Sequence, residues 1–140
     1  MSDIHKPVKG SCLCGAIQYQ VDKIESQMGH CHCTMCRKFH GAAYSTFGEA
    51  KQENFKWLKG KNDLKSFQAS NGSVRQFCKN CGSSMTFAVT ALITECVEFS
   101  LGTLDEDIEH HPDAHIFVDS KANWTDISDD LPCYKKGRVT

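Results

Sequence analysis

Seven of the nine cysteines in this 140-residue chain fall into three tight clusters, and that arrangement limits its folding more than any other feature. The clusters are Cys12-Leu13-Cys14-Gly15, Cys31-His32-Cys33-Thr34-Met35-Cys36 and Cys78-Lys79-Asn80-Cys81-Gly82. An odd count excludes a complete disulfide set within one chain. Met1 to Gly10 lacks the apolar stretch of a secretory signal, and no run approaches the roughly 20 apolar residues of a membrane span. The expectation is therefore a cytoplasmic protein with reduced thiols, used for metal binding, catalysis or plain burial.

Spacing gives each cluster a geometry. Cysteines at i and i+2 of an extended segment point to one side, so Cys12 and Cys14 can meet one ion. A Cys-x-x-Cys pair followed by glycine suits a tight turn on which two thiolates converge, with Gly82 supplying a positive φ. Together these two clusters offer the four sulfurs of a closed structural zinc site. The middle cluster offers three thiolates in six residues and leaves a tetrahedral ion one ligand short. Three arrangements satisfy that spacing. An open fourth position is the mark of a catalytic zinc; His30, His32 or His40 could instead close the site. In the third arrangement, Cys31 and Cys33 join Cys12 and Cys14 and leave Cys36 alone.

The rest of the chain reads as one mainly β domain spanning 1–140. Short aromatic and β-branched runs recur between turn residues, and sustained helical periodicity is scarce. Expected strands are Ala16–Val21, Ala42–Phe47, Phe55–Leu58, Leu64–Gln68, Val74–Phe77, Met85–Val89, Val97–Leu101 and His115–Val118. Asn71-Gly72 marks a hairpin. A short helix is expected after Thr34, and a single helical turn over Asp105–His110, stopped by Pro112. Charge is uneven, +4 over residues 1–100 and −5 over 101–140, with a pI near 6.6. No basic stripe forms, so nucleic acid is not an expected partner. Arg37, Lys38, Arg75 and Lys79 each lie within three residues of a cysteine, where cations would offset thiolate charge.

The strings GSCLCGAIQY (10–19), CHCTMCRKFHGAAYSTF (31–47), RQFCKNCGSSM (75–85), SLGTLDED (100–107) and HIFVDSKANWTDISDDLPCY (115–134) closely resemble the glutathione-dependent formaldehyde-activating enzyme family, which also includes centromere protein V. The resemblance runs over a core of about residues 9–134. It implies an Mss4-like fold of small antiparallel sheets organised around zinc. It also implies one structural zinc on Cys12, Cys14, Cys78 and Cys81, and a second zinc on Cys31, Cys33 and Cys36.

The activity implied is that of a carbon–sulfur lyase. Such an enzyme would join glutathione, or another small thiol, to an aldehyde such as formaldehyde, in the manner of S-(hydroxymethyl)glutathione synthase. Arg37 and Lys38, beside Cys36, are candidate contacts for a carboxylate of the thiol. The alternative is a non-catalytic zinc module, serving as a thiol carrier or protein-interaction scaffold. The remaining residues are expected to carry no chemistry. Cys96 reads as a buried inert thiol, and Cys133 as an exposed one. His110, His111 and His115 do not form a metal cluster, because Pro112 breaks any helix that would align them; His115 reads as a packing residue. Trp57 and Trp124 read as core or near-surface packing residues, with an aromatic wall of a substrate pocket as the alternative, and Asp126, Asp129 and Asp130 as a solvated face with turn and capping duties.

Overall fold

A computed structural model describes residues 6–90 and 95–138. The Met1–Gly10 stretch is thus described only from Lys6 onward. The chain runs β1 (Val8–Ser11), β2 (Gln18–Val21), β3 (Gly29–Cys31), α1 (Thr34–His40), β4 (Ser45–Lys51), β5 (Phe55–Lys59), β6 (Leu64–Gln68), β7 (Val74–Cys78), β8 (Ser84–Ala88), β9 (Cys96–Ser100) and β10 (Ala114–Ile116). These strands form a three-stranded sheet ordered β1-β2-β5 and a seven-stranded sheet ordered β10-β3-β4-β9-β8-β7-β6. Every pairing is antiparallel except that of β10 with β3. The mainly β reading holds. Among the described residues, no helix is long and apolar enough to cross a membrane.

Alternation along the strands builds two apolar clusters. In β2, Tyr19 and Val21 are buried while Gln18 and Gln20 are half-buried. Tyr19, Ile17 and Val21 from the smaller sheet meet Met85, Phe99 and Ala50 from the larger one, and this is the main core. The Tyr19 hydroxyl donates to Thr103 Oγ1 at 2.6 Å, which leaves no buried hydroxyl unpaired there. A smaller cluster gathers Cys31, Cys36 and Phe47, with Cys33, Phe87, Ile116 and Phe117 packed against it.

Several expected boundaries move, each for a local reason. The Ala16–Val21 strand starts at Gln18 because Gly15 N–H donates to Cys12 O and Cys12 N–H to Ile17 O, closing a turn around the first cysteine pair. The Ala42–Phe47 strand starts at Ser45 and runs on to Lys51, since Gly41, at φ 59°, first ends α1. Strand β1 carries no apolar run and contains Gly10, which the Tyr19 ring requires: a Cβ there would lie 2.3 Å from Tyr19 Cζ. Strand β3 is three residues of weak strand formers held between β4 and β10.

No helical turn forms over Asp105–His110. That segment instead covers the free edge of β1: Asp105 N–H donates to Lys9 O, Lys9 N–H to Glu106, and the Ser11 hydroxyl to Asp105. The Asn71-Gly72 hairpin joins β6 to β7, with Gly72 at φ 93° and the Asn71 side chain accepting from Ser73 N–H.

Candidate metal centres

The first and third clusters meet where β1 ends and the β7–β8 turn begins. Cys12 and Cys14 sulfurs are 3.7 Å apart, Cys14 and Cys78 sulfurs 3.8 Å, and all four sulfurs including Cys81 lie within 4.8 Å of one another. A tetrahedral zinc with Zn–S near 2.3 Å separates its sulfurs by about 3.8 Å, so the spacing fits that ion. Backbone N–H groups point at the sulfurs: Ile17 donates to Cys12 and Asn80 to Cys78. Gly82, at φ 82°, permits the turn that aims them. Ser83 fastens the two halves, its hydroxyl accepting from Leu13 N–H and lying 3.3 Å from Cys81 Sγ.

The middle cluster sits at the junction of β3 and α1. Cys31 ends the strand; Cys33 caps the helix, its sulfur accepting from Cys36 N–H at 3.2 Å; Cys36 lies buried inside the helix. Their three sulfurs also lie within 4.8 Å of one another. Among the described residues, no further His, Cys, Asp or Glu donor joins them within that distance. Hydrogen bonds from Cys31 and Cys36 hold the Cys33 thiol far below its ordinary range, while Cys31 is pushed up by the same contacts. Cys36 is shifted up as well, so of the three only Cys33 favours the thiolate without a metal ion to hold the others deprotonated.

The cation that serves this cluster is Arg75, which is 3% exposed. Its Nη2 donates to Cys36 Sγ at 3.6 Å, and its guanidinium stacks 4.6 Å from the Phe87 ring centroid and 5.4 Å from that of Phe39. Nη1 is buried without a hydrogen-bond partner. The two aromatic faces offset part of the guanidinium's charge, and thiolates would offset more; a metal ion would keep several of them deprotonated together.

In sequence Arg75 stands three residues before Cys78, which ties it to the wrong cluster; in the fold it meets Cys36, 39 positions away, from β7 of the large sheet. Lys79 pairs with Asp63 on the surface instead, at 3.8 Å. Arg37 is half-buried, with Nη1 donating to Ser120 O at 2.9 Å, whereas Lys38 is exposed. Both line a pocket of about 220 Å³ with Thr34, Gly41, Ala42 and Trp124.

None of the histidines weighed as a closing ligand joins the three sulfurs. His30 bonds Thr46, His40 lies 3.5 Å from Ser84 Oγ, and His32 bonds His115. Nor do His110, His111 and His115 form a metal group among the described residues. Cys96 is half-buried rather than buried, and Cys133 is exposed. Trp57 packs edge-on against Tyr19, whereas Trp124 is 67% exposed and walls the pocket beside Arg37 rather than packing. Asp129 caps Leu131 N–H as expected of that acidic run, but it also bonds His115. A larger cleft, about 880 Å³, opens between β5 and the β6–β9 end of the large sheet and is lined by none of the seven clustered cysteines.

The fold has a counterpart among solved structures, and the sequence has relatives. A solved Rhodobacter sphaeroides protein superposes with a TM-score of 0.59 over 72% of this chain and 91% of its own, at 20% identity, which shows a shared fold. An uncharacterized lyase of Schizosaccharomyces pombe is 29% identical over 82 residues, which is 59% of this chain and 58% of the relative's length. The family model described as glutathione-dependent formaldehyde-activating enzyme matches residues 7–120, a span that includes all seven clustered cysteines and Arg75. With that match over most of its length, the chain belongs to the glutathione-dependent formaldehyde-activating enzyme family.

Proposed function

We propose that this protein is a zinc-dependent lyase that makes and breaks a carbon–sulfur bond between a small thiol, glutathione or a relative of it, and an aldehyde such as formaldehyde. The observation that carries the reading is the largely buried three-thiol set, which no further His, Cys, Asp or Glu joins among the described residues. Family membership and the relative named a lyase support it. In this reading residues 1–140 act as one zinc-binding unit in a reducing, cytoplasmic compartment.

Cys12, Cys14, Cys78 and Cys81 would hold a structural zinc, and Cys31, Cys33 and Cys36 a second. The second zinc would lower the pKa of an incoming thiol and so keep it as the nucleophilic thiolate near neutral pH. In the addition, the thiol sulfur forms a bond to the carbonyl carbon, the carbonyl π bond breaks, and the thiol's proton ends on the new hydroxyl oxygen; the lyase direction reverses each change.

The chain's own residues supply position and environment. Arg75 offsets the thiolates' charge without exposing them, and the Phe47, Phe87, Ile116 and Phe117 side chains keep water from their inner side. Lys38 and Arg37, with Trp124 as a wall, offer a carboxylate of the thiol a cationic pocket along the same helix. Holding thiol and aldehyde together is the larger part of the rate effect, because orientation alone can remove several kcal/mol from a bimolecular barrier.

Native mass spectrometry with and without glutathione, followed by adduct formation from formaldehyde and glutathione, tests the reading. Two zincs per chain, a thiol adduct and a rate above buffer are expected. A protein carrying both zincs that leaves the rate at the buffer value overturns the activity and leaves a binding module.

A further inference from the structure

Behind the three-thiol turn lies a chain of buried polar groups that the proposed chemistry does not use. The His32 imidazole, between Cys31 and Cys33 in sequence, is 0% exposed, and His115 on β10 is 2% exposed. His32 Nε2 lies 2.8 Å from His115 Nδ1, and His115 Nε2 lies 2.9 Å from Asp129 Oδ2 and 3.2 Å from Oδ1. The Tyr44 ring packs against both imidazoles, and His30 stacks 4.8 Å from His115. His32 Nδ1 is buried with no hydrogen-bond partner.

The order of protons along this chain follows from its outer end. A carboxylate only accepts, so Asp129 takes the Nε2–H of His115. In neutral His115 the other nitrogen, Nδ1, then carries a lone pair and accepts from His32 Nε2–H. His32 is left with a bare lone pair at Nδ1. The reverse order would set a lone pair against the carboxylate and bury an unsatisfied N–H at His32, a costlier outcome at both ends.

We propose that Asp129, His115 and His32 form a tautomer-fixing relay that positions the three-thiol turn. His32 is the sole residue between Cys31 and Cys33, so the torsions that orient its ring also set how the two sulfurs are presented. It is anchored twice to β10, through its ring to His115 and through His32 N–H to Ile116 O at 2.9 Å. Asp129 is in turn held by Leu131 N–H at 3.0 Å, so the relay clamps the β3–α1 turn to β10 and to the segment beyond it. The inference rests on the proposed second zinc only for one of its two readouts.

The test uses the full-length, zinc-reconstituted chain with ¹⁵N-labelled histidine, as wild type, Asp129→Asn and Asp129→Glu. Two-bond ¹H–¹⁵N correlation spectra should show His32 and His115 both protonated at Nε2 in wild type. Asp129→Asn, which keeps the shape but can donate as well as accept, should give mixed or reversed tautomers. It should also speed chelator-driven zinc loss from the three-thiol site about tenfold while the four-thiol site keeps its rate. Asp129→Glu should restore both. A wild-type His32 protonated at Nδ1, or an Asp129→Asn protein with unchanged tautomers, or one losing zinc equally from both sites, overturns the relay. Neither readout involves turnover, so a chain without thiol–aldehyde activity still passes or fails here.

Discussion

The two thiol centres are built from the same donor atom yet differ in completeness and in charge. The four-thiol centre straddles the edge of the main core, with Cys12 and Cys78 buried in it, Cys81 half-buried and Cys14 exposed. The three-thiol centre has one sulfur fewer and lies in its own smaller apolar cluster, with Cys31 and Cys36 buried, Cys33 half-buried and a buried arginine beside Cys36. Four thiolates would complete a tetrahedral shell without further help. Three would leave a position open, and here a buried cation is at hand to balance their charge. In the proposed function the first centre joins parts of the fold and the second meets a substrate.

The largest expected effect comes from the four-thiol centre. Cys78→Ser should cost most or all of the net stability of a domain this size, about 5–15 kcal/mol, and leave the chain unfolded by far-UV circular dichroism. Cys36→Ser should leave the spectrum folded while the zinc count falls from two to one and adduct formation falls at least about a hundredfold; loss of folding here would erase the contrast between the centres. Arg75→Met removes the buried cation but not the ligands. It should destabilise the zinc-loaded protein by about 3 kcal/mol in urea titrations, because uncompensated buried charge is left behind.

Glu98 gives a smaller, pH-dependent effect on the same side of the comparison, since it lines a small cavity with Cys31, Glu49 and Arg138. Burial first, then the Glu49 carboxylate directly across the β4–β9 ladder, pushes its pKa up from 4.5 to about 7. The folded chain therefore holds this proton more tightly than the unfolded chain does. The cost of Glu98 is absent below pH 4.5 and reaches its full size as the pH rises through 7. Glu98→Gln should stabilise the fold by about 1–2 kcal/mol near pH 8, after allowance for partial solvent screening, with the gain vanishing in acid. The four-thiol centre's zinc affinity should not change. Smallest of all, Lys38→Ala should raise KM for a carboxylate-bearing thiol about threefold with kcat unchanged, a split that a role in folding would not produce.

What was legible in the sequence was local. Cys-x-Cys and Cys-x-x-Cys-Gly each specify a short geometry, and the structure adopts those geometries at Cys12–Gly15 and Cys78–Gly82, while the short helix expected after Thr34 runs over Thr34–His40. The hairpin at Asn71-Gly72 belongs to the same class.

What was not legible depended on contacts across the chain. Strand β3 exists because β4 and β10 pair with it, not because Gly29-His30-Cys31 favours extension. The roles of Arg75 and Asp129 could not be read from their neighbours, since each acts on a residue 39 and 14 positions away, respectively. By residue type Trp124 could be either packing or a pocket wall, and only its place on the segment after β10 decides for the wall. The His32–His115 contact spans 83 positions, so nothing around either histidine announces it.

The four-thiol clasp also has a consequence during synthesis. Cys14 precedes Cys78 by 64 residues. At translation rates of about 5–20 residues per second, the first pair of sulfurs waits roughly 3–13 s for the second. The three sulfurs of the middle cluster emerge almost together within that interval. On the proposed two-zinc reading, a nascent chain supplied with metal could therefore load Cys31, Cys33 and Cys36 before the clasp exists, and the centres would fill in the opposite order to the one in which they would strengthen the finished fold.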